Sequence, residues 1–112
     1  MSKRHFPRDY RIILSTCPNI RVAKRIASAL VRERLAACVN ILPVLQSVYR
    51  WRGKVESAKE VLMVIKARAG DYRRVEKRLR ALHPYELPEI VSVRIANGYS
   101  RYLAWIENPD EV

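Results

Sequence analysis

Cys38-Val39-Asn40-Ile41-Leu42-Pro43-Val44-Leu45-Gln46-Ser47-Val48-Tyr49-Arg50-Trp51 is rich in β-branched, aromatic and leucine side chains and carries no helical period. Arg52-Gly53 follows, a tight-turn pair, and then Val55 to Arg68, whose centre is Val61-Leu62-Met63-Val64-Ile65. Two extended runs joined by a glycine-containing turn predict one long β-hairpin. Pro43 cannot donate a ladder hydrogen bond, so the first arm is expected to be an edge strand, bulged or bent there.

Working outward, the hairpin lies between two helical segments. Before it, Tyr10 to Thr16 is a short apolar run that reads as a central strand, stopped by Pro18. Asn19 is a good N-cap for a helix over 20–35, with Val22, Ile26 and Leu30 on one face. After it, Gly70 and Asp71 open a second helix, with Asp71 as its expected cap and Tyr72, Val75, Leu79 and Leu82 as its apolar stripe. That helix must end before His83-Pro84, because the residue preceding proline avoids the helical region. Pro84 to Pro88 is a rigid loop, 89–96 alternates as a strand, Asn97-Gly98 breaks it, and 99–106 reads as a short final helix. The order strand, helix, strand, strand, helix, strand, helix is an α+β, ferredoxin-like βαββαβ arrangement with a long central hairpin and a short C-terminal helix. Residues 1–9 form a basic tail, 10–107 a single domain, and the acidic stretch at 108–112 a loose end.

Length matters to the hairpin. Arms of about fourteen residues at ~3.3 Å each reach roughly 45 Å, whereas helices of this size span only roughly 20–24 Å. The helices therefore leave the far end, with Val48, Tyr49 and Trp51, uncovered. Either that end frays or a partner subunit covers it, and its aromatic content favours a closed homo-oligomer.

Composition narrows the functional classes. The 112 residues are one domain by size and are 49% hydrophobic, which rules out a disordered chain. No apolar run approaches the ~20 residues of a membrane span. The basic start, Met1 to Arg11, lacks the apolar stretch of a signal peptide, which makes the cytoplasm the default location. Two cysteines, Cys17 and Cys38, have no CxxC or clustered Cys/His spacing, so a structural zinc site is not expected, and Cys38 reads as a small buried hydrophobe. There is no GxSxG, no glycine-rich phosphate loop and no HExxH, and enzyme is the least favoured class. Glu56, Glu60, Glu86 and Glu89 are expected as ion-pair partners for the excess arginine and lysine.

The net charge of +11 is the loudest signal. Ten of the basic residues fall on the two main helices, between Arg21 and Arg80. A polyanion contact is thus a rival function, set against a merely solvated basic face. Specific recognition of single-stranded RNA on the sheet is disfavoured, since Val55 to Arg68 has no aromatic residue to stack a base.

Several segments then match a known family, in order and without large gaps from about Ile12 to Ile106. Leu35-Ala36-Ala37-Cys38-Val39-Asn40-Ile41, Ser47-Val48-Tyr49-Arg50-Trp51-Arg52-Gly53-Lys54-Val55-Glu56, His83-Pro84-Tyr85-Glu86-Leu87-Pro88-Glu89-Ile90 and Tyr102-Leu103-Ala104-Trp105-Ile106 resemble the CutA family of divalent-cation tolerance proteins. The resemblance implies a ferredoxin-like fold, a homotrimer built by strand pairing between subunits, a cytoplasmic location and a link to copper and other divalent cations. His83 is the best candidate ligand, in a rigid loop pinned by Pro84 and Pro88 with Glu86 and Glu89 nearby. Imidazole suits copper and carboxylates complete such a shell; Cys17 adds a soft donor if the fold brings it near, giving His83, Cys17 and Glu89 as the candidate set. Against it stands a plain structural role, in which His83 and Tyr85 hydrogen-bond to fix the loop. A third reading is a trimeric small-molecule sensor or protein scaffold, with Arg50, Lys66 and Tyr85 lining a cleft between subunits.

Overall fold

The computed structural model describes residues 9–111, so the expected tail at 1–9, apart from Asp9, and Val112 lie outside the described residues. The elements run β1 (Tyr10–Cys17), α1 (Ile20–Arg32), β2 (Cys38–Trp51), β3 (Lys54–Arg68), α2 (Tyr72–Leu82), β4 (Val91–Arg94) and α3 (Ser100–Glu107), with one 3-10 turn at Ala69–Asp71. This is the α+β, ferredoxin-like arrangement. Its four-stranded sheet has the order β2-β3-β1-β4, and every pairing in it is antiparallel. The long axis measures 56 Å against 26 and 25 Å across, because the hairpin runs past the helices.

The hairpin turns where the sequence places it. Arg52 and Gly53 have φ of 53° and 82°, the doubly positive geometry that matches the twist of a two-residue hairpin loop. β2 is an edge strand, and its pairing slips between Leu42 and Leu45, so that Pro43 and Val44 stand against Val61 alone. The missing proline N–H therefore costs the ladder nothing.

Alternation assigns the two faces of the sheet. Ile13, Ser15 and Cys17 of β1 and Val61, Met63, Ile65 and Ala67 of β3 point to the helices and are buried. Against them pack Ile26 and Leu30 of α1 and Val75 and Leu79 of α2, all without solvent exposure. The opposite face is open except at Lys66, where Tyr102 of α3 reaches it. Register lines up Asn40, Val64, Leu14 and Val91 in one row, Leu42, Leu62 and Thr16 in a second, and Cys38, Lys66, Ile12 and Val93 in a third. Leu42, Val91 and Val93 there are 45–50% exposed.

The helix ends depart from expectation. Asn19 caps α1 as predicted, its side-chain oxygen accepting the Val22 N–H at 2.9 Å. The helix stops at Arg32, however, short of 35. The Arg34 N–H bonds to the Val31 carbonyl and the Leu35 N–H to the Leu30 carbonyl, with Arg34 at φ 60°. That is a Schellman closure in which arginine occupies the position glycine usually takes. Asp71 makes no cap bond to α2. Its backbone is already helical, and its buried carboxylate accepts from Arg68 Nε at 2.8 Å and from Arg74. β4 is shorter than 89–96, pairing only Val91–Arg94 with β1, with one further bond from the Ile95 N–H to the Tyr10 carbonyl. The final helix is displaced by one residue and includes Glu107. In the stretch beyond it, Asp110 pairs with Arg34 at the surface. Cys38 is half-buried instead of buried.

Candidate functional site

The loop after α2 folds back over the hairpin on the open side of the sheet. Its first residue, His83, is extended (ψ 135°), as the following proline requires. That conformation turns the buried ring towards the end of β1, where Nε2 donates to the Thr16 carbonyl oxygen at 2.8 Å. The Tyr85 N–H donates to Nδ1 at 3.1 Å. A carbonyl only accepts and an amide N–H only donates, so the two bonds fix the ring's tautomer and leave no lone pair free.

Tyr85 comes next in the same network. Its ring lies 4.8 Å from that of His83, and its hydroxyl donates to Glu60 Oε2 at 2.7 Å. Glu60 is 9% exposed and sits one residue before the buried run of β3. Burial pushes the Tyr85 phenol above its ordinary range, and the bond to Glu60 and that group's charge push it further. In the middle of the loop, Glu86 pairs with Arg52 of the turn at 2.9 Å. The loop is thus fastened to β1, β3 and the hairpin tip.

Between loop and hairpin lies a cleft of about 820 Å³. Tyr49, Arg50 and Trp51 form one wall, Ala58 and Glu60 the floor, and Tyr85 to Val91 the other wall. The size is that of a small-molecule site. Arg50 and Tyr85 line it as expected. Lys66 does not; it donates to the Tyr102 hydroxyl at 3.1 Å, towards the other end of the sheet.

The candidate metal ligands fare unevenly. His83 and Cys17 are neighbours through Thr16, while Glu89 stands exposed on the cleft wall. Both nitrogens of His83 are occupied. The Cys17 thiol is fully buried, directed at the Asn19 carbonyl, and burial raises its pKa, with the charge of Glu60 adding to the effect. A thiolate, not a thiol, binds metal. Among the described residues no three His, Cys, Asp or Glu side chains gather as a cation site. The donors as they stand do not fit a bound cation. Of the four glutamates expected in ion pairs, Glu86 has one, whereas Glu60 takes the tyrosine hydroxyl instead. The Glu60–Tyr85 pair is the feature the sequence concealed; its one sign was a carboxylate directly before a five-residue apolar run in a strand.

Comparison with known proteins places this geometry. The family model for the CutA1 divalent ion tolerance protein matches residues 11–109. The divalent-cation tolerance protein CutA of Thermus thermophilus is 48% identical over 95 residues, 85% of this chain and 92% of that one. Its solved structure superposes with a TM-score of 0.85 at 47% identity, covering 87% and 94% of the two chains. A chloroplastic CutA of Arabidopsis thaliana is 40% identical over 87% of this chain but only 53% of its own, so the chain spans about half the length of that relative. The structure of a CutA described as periplasmic, from Archaeoglobus fulgidus, gives a TM-score of 0.85 at 37% identity over 88% and 95% of the chains. Compartment thus differs among the relatives. No described helix of this chain is long and apolar enough to cross a membrane.

Proposed function

The chain belongs to the CutA1 divalent ion tolerance family, and from that premise we propose that it acts as one subunit of a cytoplasmic homotrimer, binding a small molecule in the cleft between loop and hairpin. The observation that carries this is the uncovered sheet face. Leu14, Leu62, Val64, Val91 and Leu42 form a continuous apolar surface that the chain's own helices do not reach. Surfaces of this kind on a single subunit mark association sites. The cleft opens on the same side, so a neighbour seated on the apolar face also borders the cleft.

The cleft's chemistry is that of binding and not of bond breaking. Glu60 accepts one bond from Tyr85 and keeps further acceptor capacity, so it holds a ligand's N–H or O–H donor. Arg50, exposed on the wall, supplies the opposite polarity for a carboxylate or phosphate. The protein is on this reading a ligand-dependent scaffold or sensor.

A divalent cation, copper foremost, held by His83, Cys17 and Glu89 is the second reading. Its support is the hydrogen bond between His83 and Thr16, which brings the imidazole beside the residue next to Cys17. It requires His83 to surrender one of its two bonds.

Native mass spectra of the untagged protein at micromolar concentration test both readings. The expected mass is three subunits; a monomer would overturn the trimer. One copper per subunit that His83→Ala abolishes would establish the second reading over the first. Copper added without stoichiometry, and equally to the variant, would leave the cleft as the site.

A further inference from the structure

The side of the sheet away from the cleft carries charge that the protein does not neutralise. Helix α1 bears Arg21, Lys24, Arg25 and Arg32 and no acidic residue; α2 bears five basic residues against Glu76 alone. Two ion pairs consume a part: Asp71 with Arg74, and Glu33 with Arg78 in a two-bond fork. Arg25 donates to the Leu82 carbonyl at 3.2 Å, tying α1 to the end of α2. Arg21, Lys24, Arg32, Arg73, Lys77 and Arg80 remain exposed without an acidic partner among the described residues. Between the helices runs a groove of about 600 Å³ edged by Lys24, Arg25, Arg32 and Arg78.

The neighbouring side chains say what this surface fits. Of the large apolar residues on the two helices, Ile26, Leu30, Val75 and Leu79 have no exposure, and the exposed pair Ile20 and Val31 stands at the two ends of α1, about three turns apart, too sparse to make an apolar face for a bilayer. Helix α1 has no aromatic residue, and Tyr72 of α2 is packed against the core. A stacking platform for unpaired bases is therefore absent from these two helices. What remains is a ridge of cations on two rigid rods, complementary to regularly spaced phosphates. B-form DNA has a major groove about 12 Å wide, open to a helix and flanked by phosphates, whereas the same groove of A-form RNA is too narrow for one.

We propose that the α1–α2 face docks on the phosphate backbone of double-stranded DNA, without reading its sequence. The face lies opposite the cleft, so the inference stands whether or not the cleft binds a ligand.

Fluorescence anisotropy of the full chain with a labelled 20-base-pair duplex tests it. For four to six phosphate contacts, affinity falls by about 10²–10³-fold between 50 and 200 mM salt. Lys24→Glu with Lys77→Glu is expected to lower affinity at least tenfold at 50 mM salt and to make the log–log salt slope shallower by about two. Lys54→Glu with Arg101→Glu removes the same charge from the hairpin tip and α3 and is expected to bind as the parent does. Circular dichroism and native mass confirm folding of each variant, and Lys24→Gln with Lys77→Gln repeats the test without reversed charge. Absence of binding at 50 mM salt, equal losses in both charge-reversed pairs, or tighter binding to duplex RNA or to phosphatidylserine vesicles would each overturn the proposal.

Discussion

The His83 ring bridges the end of α2 to the end of β1, donating through Nε2 to the Thr16 carbonyl oxygen at 2.8 Å while Nδ1 accepts the N–H of Tyr85. One side chain therefore sets the position of the loop that walls the cleft. Replacing it by alanine leaves a half-buried carbonyl and a loop amide without these partners. His83→Ala is expected to cost about 1–3 kcal/mol. The measurement is a denaturant midpoint at constant slope, with amide exchange at Tyr85. Exchange at Tyr85 no faster than in the parent would show that the Tyr85–Glu60 bond and the Arg52–Glu86 pair hold the loop without His83.

The bond from Tyr85 to Glu60 has a consequence at alkaline pH. The folded chain holds this phenolic proton to a higher pH than the unfolded chain, whose phenol releases it near 10. Above that point the unfolded state gains by ionising and the native state does not. Stability then falls as pH rises, by up to about 1.4 kcal/mol per unit for this group, and is flat with respect to it below about pH 9. Absorbance at 295 nm of the native protein is expected to lose its latest-titrating tyrosine in Tyr85→Phe, while Tyr72, raised by burial and by Glu76, stays as a second late group. A Tyr85→Phe protein that keeps the full late-titrating signal would assign it elsewhere.

Much of this architecture was legible because periodicity reports burial. Val22, Ile26 and Leu30 at helical spacing, and the unbroken apolar run from Val61 to Ile65, announce segments that the core then fills. The hairpin turn was legible because few pairs besides Arg52-Gly53 place a glycine between two extended runs. What stayed hidden depends on partners distant in sequence or on backbone atoms. Asp71 reads as a cap until Arg68 and Arg74 claim its carboxylate. The strand expected over 89–96 shortens because β1 offers register partners only from Arg11 to Leu14. In the cleft, His83 and Tyr85 announce themselves in the loop pinned by Pro84 and Pro88. Their partners did not: Thr16 contributes a carbonyl that any residue has, and Glu60 lies 25 positions from Tyr85.

The two cysteines are expected to differ in reactivity. Cys17 is fully buried and its pKa is raised, chiefly by that burial, whereas Cys38 opens the edge strand half-buried. Thiolate is the reacting form. Maleimide labelling at pH 7.5 should modify Cys38 and leave Cys17 untouched until denaturant is added, as peptide mass mapping would read. Labelling of Cys17 in the native protein at a rate matching Cys38 would mean that the β1 end opens readily. It would also bring the thiol back within reach of a cation.

Arg34 is the place where a substitution should improve the fold. The Schellman closure after α1 requires a left-handed residue there, and φ is 60°. A residue with a Cβ in that conformation costs about 1–2 kcal/mol, a cost glycine avoids. The compensation is the Arg34–Asp110 pair, which is exposed at both ends, 77% and 59%, and such pairs contribute between about 0 and 1 kcal/mol. The backbone term is the larger. Arg34→Gly is therefore expected to raise stability by up to about 1 kcal/mol, even after the added freedom of glycine in the unfolded chain is subtracted. Asp110→Ala separates the two contributions: it removes the pair and keeps the strained backbone, so it should lower stability slightly or not at all. A calorimetric midpoint that falls in Arg34→Gly and equally in Asp110→Ala would mean that the ion pair, and not the backbone, dominates at this corner, and that the acidic end of the chain is a structural clasp on α1.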